Sequence, residues 1–186
     1  VLDCEFPAGT PIIRTAVGPA YNGPYVEPGQ TLVVTSVGSM QVPNPAGSPT
    51  MIDRDYGFGG TPGTIMIGDT ALTDDVAWSA GSVSVTVPAG TQSGQLTITR
   101  GDNGLSTVVG VTVTVGPLPG TAVVRPVSPA AGTPIQDAVD AAQPGDLILV
   151  ANGTYEELVI LHKEVQLQGA GAFSTVINAV KAPGEK

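Results

Sequence analysis

The sequence predicts a mainly β chain: a sandwich of two sheets, then one short helix and a sheet wound in tight steps. Three observations predict it. Short apolar runs separated by turn signals recur from Thr31 to Val115, and several of them alternate strictly. The last third, Thr133 to Asn178, sets an amphipathic stretch before four apolar runs spaced about 8–12 residues apart. The 186 residues include 25 glycines and 17 prolines, and only 4% are aromatic, which favours many strands and turns over a helical bundle.

Val1 to Gly29 is punctuated by Pro7, Pro11, Pro19, Pro24 and Pro28, so extended segments and turns packed along a neighbour are expected. Ile12 to Val17 can pair as an edge strand, where Pro11 is tolerated. This stretch can also be the tail of an upstream module. From Gln30 strands follow in succession: Thr31–Val37, Met40–Val42, Met51–Arg54, Thr64–Ile67, Ala71–Leu72, Val76–Trp78, Ser82–Val87, Gln95–Arg100 and Thr107–Val115. Val83, Val85 and Val87 share one face, as do Val111, Val113 and Val115. Asp102-Asn103-Gly104 is a hairpin signal, because Asn-Gly accepts positive φ. About seven such strands make a two-sheet sandwich over residues 30–116.

A Pro/Gly hinge at 117–122 closes that module, and residues 123–186 form the next. Its helix, near 134–142, is read from its start signal. Thr133 is placed to cap it, Pro134 sits at N1, and Asp137 lies in the first turn. Ile135, Ala138, Val139 and Ala142 form the apolar face, and Pro144-Gly145 ends the helix. So short a helix is marginal alone, so its stripe must lie on the strands that follow. Those are expected at Leu147–Val150, Leu158–Leu161, Val165–Leu167 and Val176–Ile177.

Two resemblances attach to these residues. YGFGGTPGTIMIGDTAL, VAWSAGSVSVTVPAGTQSGQLTITRGDNGLSTV and GVTVTVG, within Thr31 to Gly116, resemble the immunoglobulin-like IPT/TIG domain. The long Pro/Gly-containing stretch between Thr31 and Tyr56 departs from the compact opening hairpin of that family. IQDAVDAAQPGDLILVANGTYEELVIL, VQLQGAG and STVIN, within Val123 to Ala179, resemble the N-terminal capping region of right-handed parallel β-helix proteins of the pectin-lyase-like class. The first resemblance implies a spacer or recognition module. The second implies a capping helix and the first rungs of a β-helix, ahead of the middle rungs where such enzymes carry their active sites. Stacked rungs usually need about three neighbours to bury a core, and the tail Lys181–Lys186 offers no cap, so the chain is read as part of a longer protein.

Composition narrows the function classes. A net charge of −9 excludes nucleic acid and anionic membrane surfaces as partners, and no apolar run of about 18 residues is present for membrane insertion. The N-terminus VLDCEF lacks a signal-peptide layout. Cys4 stands alone, which leaves no internal disulfide or cysteine-based metal site, and no cofactor is expected. The acidic, threonine-rich, lysine-poor composition fits a secreted or cell-surface bacterial protein.

Candidates for chemistry are few. Tyr56, Trp78 and Tyr155 are the candidate ligand-binding aromatics; Tyr21 and Tyr25 are further surface candidates, and the core is the competing reading for Trp78. Asp53, Asp55, Asp74 and Asp75 can offer oxygens to Ca2+, against a local ion pair for Asp53-Arg54-Asp55 and a turn for Asp74-Asp75. Glu156-Glu157 is read as a solvated loop and His162 as a turn residue, with no catalytic set around either. Asn152-Gly153-Thr154 matches a glycosylation acceptor but is explained as a turn. The expectation is a non-catalytic fragment of a larger extracellular protein that positions a β-helical domain for polysaccharide or cell-surface binding, with further domains of the same chain as partners. The rival is the non-catalytic front of a polysaccharide lyase or glycoside hydrolase.

Overall fold

The computed structural model describes residues 6–179; Cys4 and the tail Lys181–Lys186 lie outside them. Strict alternation gives the first two sheets. In β3 (Thr31–Ser36) and β9 (Ser82–Thr86) every second residue is buried, and Leu32 opposes Val85 as Val34 opposes Val83. With β1 (Ile13–Val17) and β8 (Asp74–Trp78) at its edges, this antiparallel sheet runs β1-β3-β9-β8.

The second sheet runs β2-β11-β10-β6-β7, from β2 (Tyr25–Val26), β11 (Val111–Val115), β10 (Gly94–Thr99), β6 (Thr64–Ile67) and β7 (Thr70–Ala71). Leu96 pairs with Ile67 on one side and Val111 on the other, and Ile98 pairs with Ile65. The inner faces enclose one core of Leu32, Val34, Phe58, Ile65, Ile67, Val83, Val85, Leu96, Ile98 and Val113. Full burial of each such side chain is worth about 1.5–3 kcal/mol. The Asp-Asn-Gly turn forms as expected: Asn103 Oδ1 accepts the Leu105 amide at 2.9 Å and Gly104 adopts φ +72°. The returning strand starts at Val111 and not at Thr107.

The stretch that departs from a compact opening hairpin makes a separate two-stranded unit. β4 (Ser39–Pro43) and β5 (Met51–Asp55) pair only with each other. Val42 and Ile52 from this hairpin pack with Ile12, Val37 and Tyr56 in a core of their own.

The last third is parallel. β12 (Val124–Val127), β13 (Leu147–Val150) and β15 (Gln166–Gly169) form one parallel sheet, and β14 (Gly153–Tyr155) pairs in parallel with β16 (Thr175–Ile177). All four residues of β13 are buried, as in a parallel strand covered on both faces. Ile148 and Val150 meet the helix α1 (Pro134–Ala141), whose Ile135 and Val139 are fully buried among Val127 and Tyr155. Leu147 and Leu149 face the other way, onto Tyr25. The run Leu158–Leu161 is a correction: it is no strand but part of an irregular strap between β14 and β15.

The two regions are docked. Gln168 accepts the Thr114 hydroxyl at 2.7 Å and donates to the carbonyls of Pro24 (3.3 Å) and Thr112. The Ala16 amide of edge strand β1 donates to Ala170 O at 2.9 Å, and Phe173 packs beside Ile12 and Tyr56. Leu118, within the expected hinge, packs with Tyr25 and Leu147, and a Cβ on Gly116 would stand 2.1 Å from the Tyr25 hydroxyl. The opposite edge, β8, is blunted by a bulge between Asp74 and Ala77 and by two exposed carboxylates.

Candidate functional site

The three candidate aromatics are not brought together. Tyr56 is 2% exposed, a core residue beneath the β4–β5 hairpin. Tyr155 is also 2% exposed, and its hydroxyl donates to the carbonyl of Ala151 at 3.0 Å. Burial, with Glu157 nearby, pushes that hydroxyl's pKa up. Both are corrections to the surface reading, because each ring is consumed by packing. Tyr25 is buried as well, edge-on to half-buried Tyr21 at 5.5 Å. Trp78 lies opposite Val83 in the register and packs against the sandwich core, edge-on to Phe58. Its indole N–H donates to Gly59 O at 3.0 Å. Of the three it alone stays partly open, beside a shallow depression of about 200 Å³ lined by Ala77, Ser79, Ser82 and Ser84.

The acidic candidates do not converge either. Among the described residues no group of three or more His, Cys, Asp or Glu side chains is placed to hold a metal ion. Asp55 is engaged by Arg100 at 3.0 Å and by the Gly57 amide at 2.8 Å, so its ion pair reaches across the fold and not to Arg54. Asp53 is exposed on β5, while Asp74 and Asp75 are exposed on the bulged edge. Asp75 takes φ 49° and accepts the Thr86 hydroxyl at 3.1 Å.

Arg100 is the buried cation of the sandwich. Its guanidinium also binds Asp102 through two bonds, at 2.8 and 2.6 Å, and reaches the carbonyls of Gly9 and Gly57. The bond to Asp102 chiefly holds its pKa above the usual guanidinium value. Three stretches of chain, at Gly9, Asp55–Gly57 and Arg100–Asp102, thus meet on one side chain.

Glu157 is a further correction. It is not a solvated loop residue but 3% exposed, and its two oxygens accept the amides of Ile135 (3.0 Å) and Gln136 (2.9 Å) at the start of α1. Thr133, placed by sequence as the cap, makes no capping bond and donates to Asp137 at 3.1 Å. Glu156 stays exposed and accepts the Asn178 amide group at 2.8 Å. His162 is exposed in the strap, 3.9 Å from Asp140.

Asp146 had no sequence signal beyond its place in the Pro-Gly-Asp turn. Its buried carboxylate accepts the amides of Gln143 and Val123, each at 2.9 Å, and Arg125 Nε at 2.6 Å. These bonds, the Gln143 amide first, bring its pKa down to about 2 from an ordinary 3.8. A depressed carboxylate stabilises the fold above its unfolded value, and that contribution is lost as pH falls from about 4 toward 2. Thermal midpoints measured from pH 6 to pH 2 should drop through this window in the parent, and less steeply in Asp146→Asn. Equal slopes would remove Asp146 as a source of acid sensitivity.

A cavity of about 370 Å³ opens where β11 meets the outer end of the parallel strands, lined among others by Val111, Val150, Leu167, Gly169 and Ile177. Two of its polar side chains are used internally: Gln168 holds β11, and Thr175 accepts the Ala170 amide at 3.0 Å. The cavity offers an apolar floor and strand edges, with no convergent acid, base or nucleophile.

No protein-family model matches the chain, and no curated protein does. Among solved structures, it is similar to the Gamma-CGTase of Alkalophilic Bacillus clarkii, with 26% identity, a TM-score of 0.40, and coverage of 67% of this chain and 15% of that one. The chain therefore spans under a sixth of that protein's length. No helix among the described residues is long and apolar enough to cross a membrane. What stands among the described residues is a mainly β structure of several sheets with one short helix, in which two antiparallel-rich sheets form a sandwich.

Proposed function

We propose that this chain is a non-catalytic structural and recognition unit of a larger extracellular bacterial protein, an IPT/TIG-like sandwich that positions the capped start of a right-handed β-helical domain for contact with a polysaccharide or cell-surface ligand. The observation that carries the reading is the pair of parallel ladders. Leu147 pairs with Gln166 and Gly153 with Thr175, so the chain returns to the same two sheets after about 20 residues, the repeat length of wound solenoids. α1 covers one end of that winding and the sandwich is docked along it.

Calorimetric titration with acidic and neutral polysaccharides, with and without Ca2+, tests the recognition half. Saturable binding is expected with the parent chain and reduced binding with Trp78→Ala, the candidate ring that stays partly open. No saturable binding to any of them leaves only the positioning role. Turnover of any polysaccharide by the chain itself overturns the non-catalytic reading.

A further inference from the structure

We propose that α1 and the strap 156–164 close as a single latch, with Glu157 and Lys163 as its positioning residues, and that neither half is stable without the other. The helix is eight residues long and brings neither a capping side chain nor a basic residue in its last turn. Both ends are completed from the strap. At the N-terminus the two oxygens of Glu157 each take one free amide, from Ile135 and Gln136. At the C-terminus Lys163 Nζ donates to the carbonyls of Ala142 (3.1 Å) and Asp140. An anion at the start and a cation at the end also complement the helix dipole.

The middle is tied as well. Gln136 Oε1 accepts the Ile160 amide at 2.7 Å, and its Nε2 donates to Asp140 at 2.8 Å and to Ile160 O at 3.4 Å. Dependence runs in both directions. The strap half-buries Val159 against the helix core but leaves Leu158, Ile160 and Leu161 53–60% exposed, so polar bonds to α1 carry much of its anchoring. A helix this short does not persist in water without its caps and its apolar floor. Closure therefore follows formation of β13 and β14, which deliver the strap, and opening unseals Val127, Ile148 and Val150.

Amide hydrogen exchange on the intact chain tests this. In the unsubstituted protein the amides of Ile135, Gln136, Val139 and Ile160 should share one protection level, to within about threefold, as members of one opening unit do. Glu157→Ala should lower all four together by about tenfold, the scale of a lost cap, and leave Leu96 and Val113 unchanged. Glu157→Gln keeps the shape but only one acceptor oxygen, so it should fall between. Protection that differs more than about tenfold between Ile160 and the helix in the unsubstituted protein would overturn the latch. So would a Glu157→Ala chain in which the helix loosens and Ile160 does not. If Glu157→Ala does not fold, the unsubstituted chain decides alone.

Discussion

Val139→Asp is expected to lower stability by at least about 3 kcal/mol, because it places a carboxylate without a partner where no water reaches. Val139 is fully buried on the face of α1 that meets Val127, Ile148 and Val150. Two cations on neighbouring elements are already committed, Lys163 to the helix carbonyls and Arg125 to Asp146. Val139→Ala separates lost packing from buried charge, since a small cavity costs less than an unpaired ion. Thermal unfolding followed by circular dichroism should show a large fall for the aspartate and a modest one for the alanine. An unchanged midpoint in Val139→Asp would mean that the helix does not seal this core.

Arg100→Ala should come next in size, at about 2–3 kcal/mol, at or just below the roughly 3–5 kcal/mol that breaking a fully buried ion pair costs. The guanidinium is 8% exposed, but Asp55 and Asp102 are 51% and 35% exposed, so water partly compensates them once the cation is gone. The larger loss is expected at the Gly57 carbonyl, which accepts this guanidinium at 3.2 Å and is buried with it. Arg100→Lys keeps the charge but not the planar fork that reaches Asp102 through two bonds, so it should recover little of the loss. Denaturant unfolding of the three proteins decides the matter. Full recovery by lysine would show that charge alone matters at this position.

What was legible was what repeats locally. The valines of β9 and β11 announced their buried faces by alternation, and the spacing of Ile135, Val139 and Ala142 announced which side of α1 is covered. What was illegible was settled by groups distant in the chain. Glu157 caps a helix that begins more than 20 residues before it, and nothing around Glu156-Glu157 distinguishes a buried carboxylate from a solvated one. Tyr155 sits in an Asn-Gly-Thr-Tyr turn that reads as surface, yet its hydroxyl finds Ala151 O four residues back and its ring turns inward. Leu158–Leu161 has the composition of a strand, but the chain there crosses α1 and its Ile160 amide is taken by Gln136, leaving no ladder to join.

Gly171 lies so close to β1 that a Cβ would stand 2.2 Å from Arg14 O, and three bonds from Gln168 hold the neighbouring strands. A connector of glycine and proline would by itself be a swivel. Clamped in this way it becomes a bracket: torque applied to the sandwich passes into the parallel strands with little slack. The parallel strands therefore keep a fixed heading relative to the sandwich.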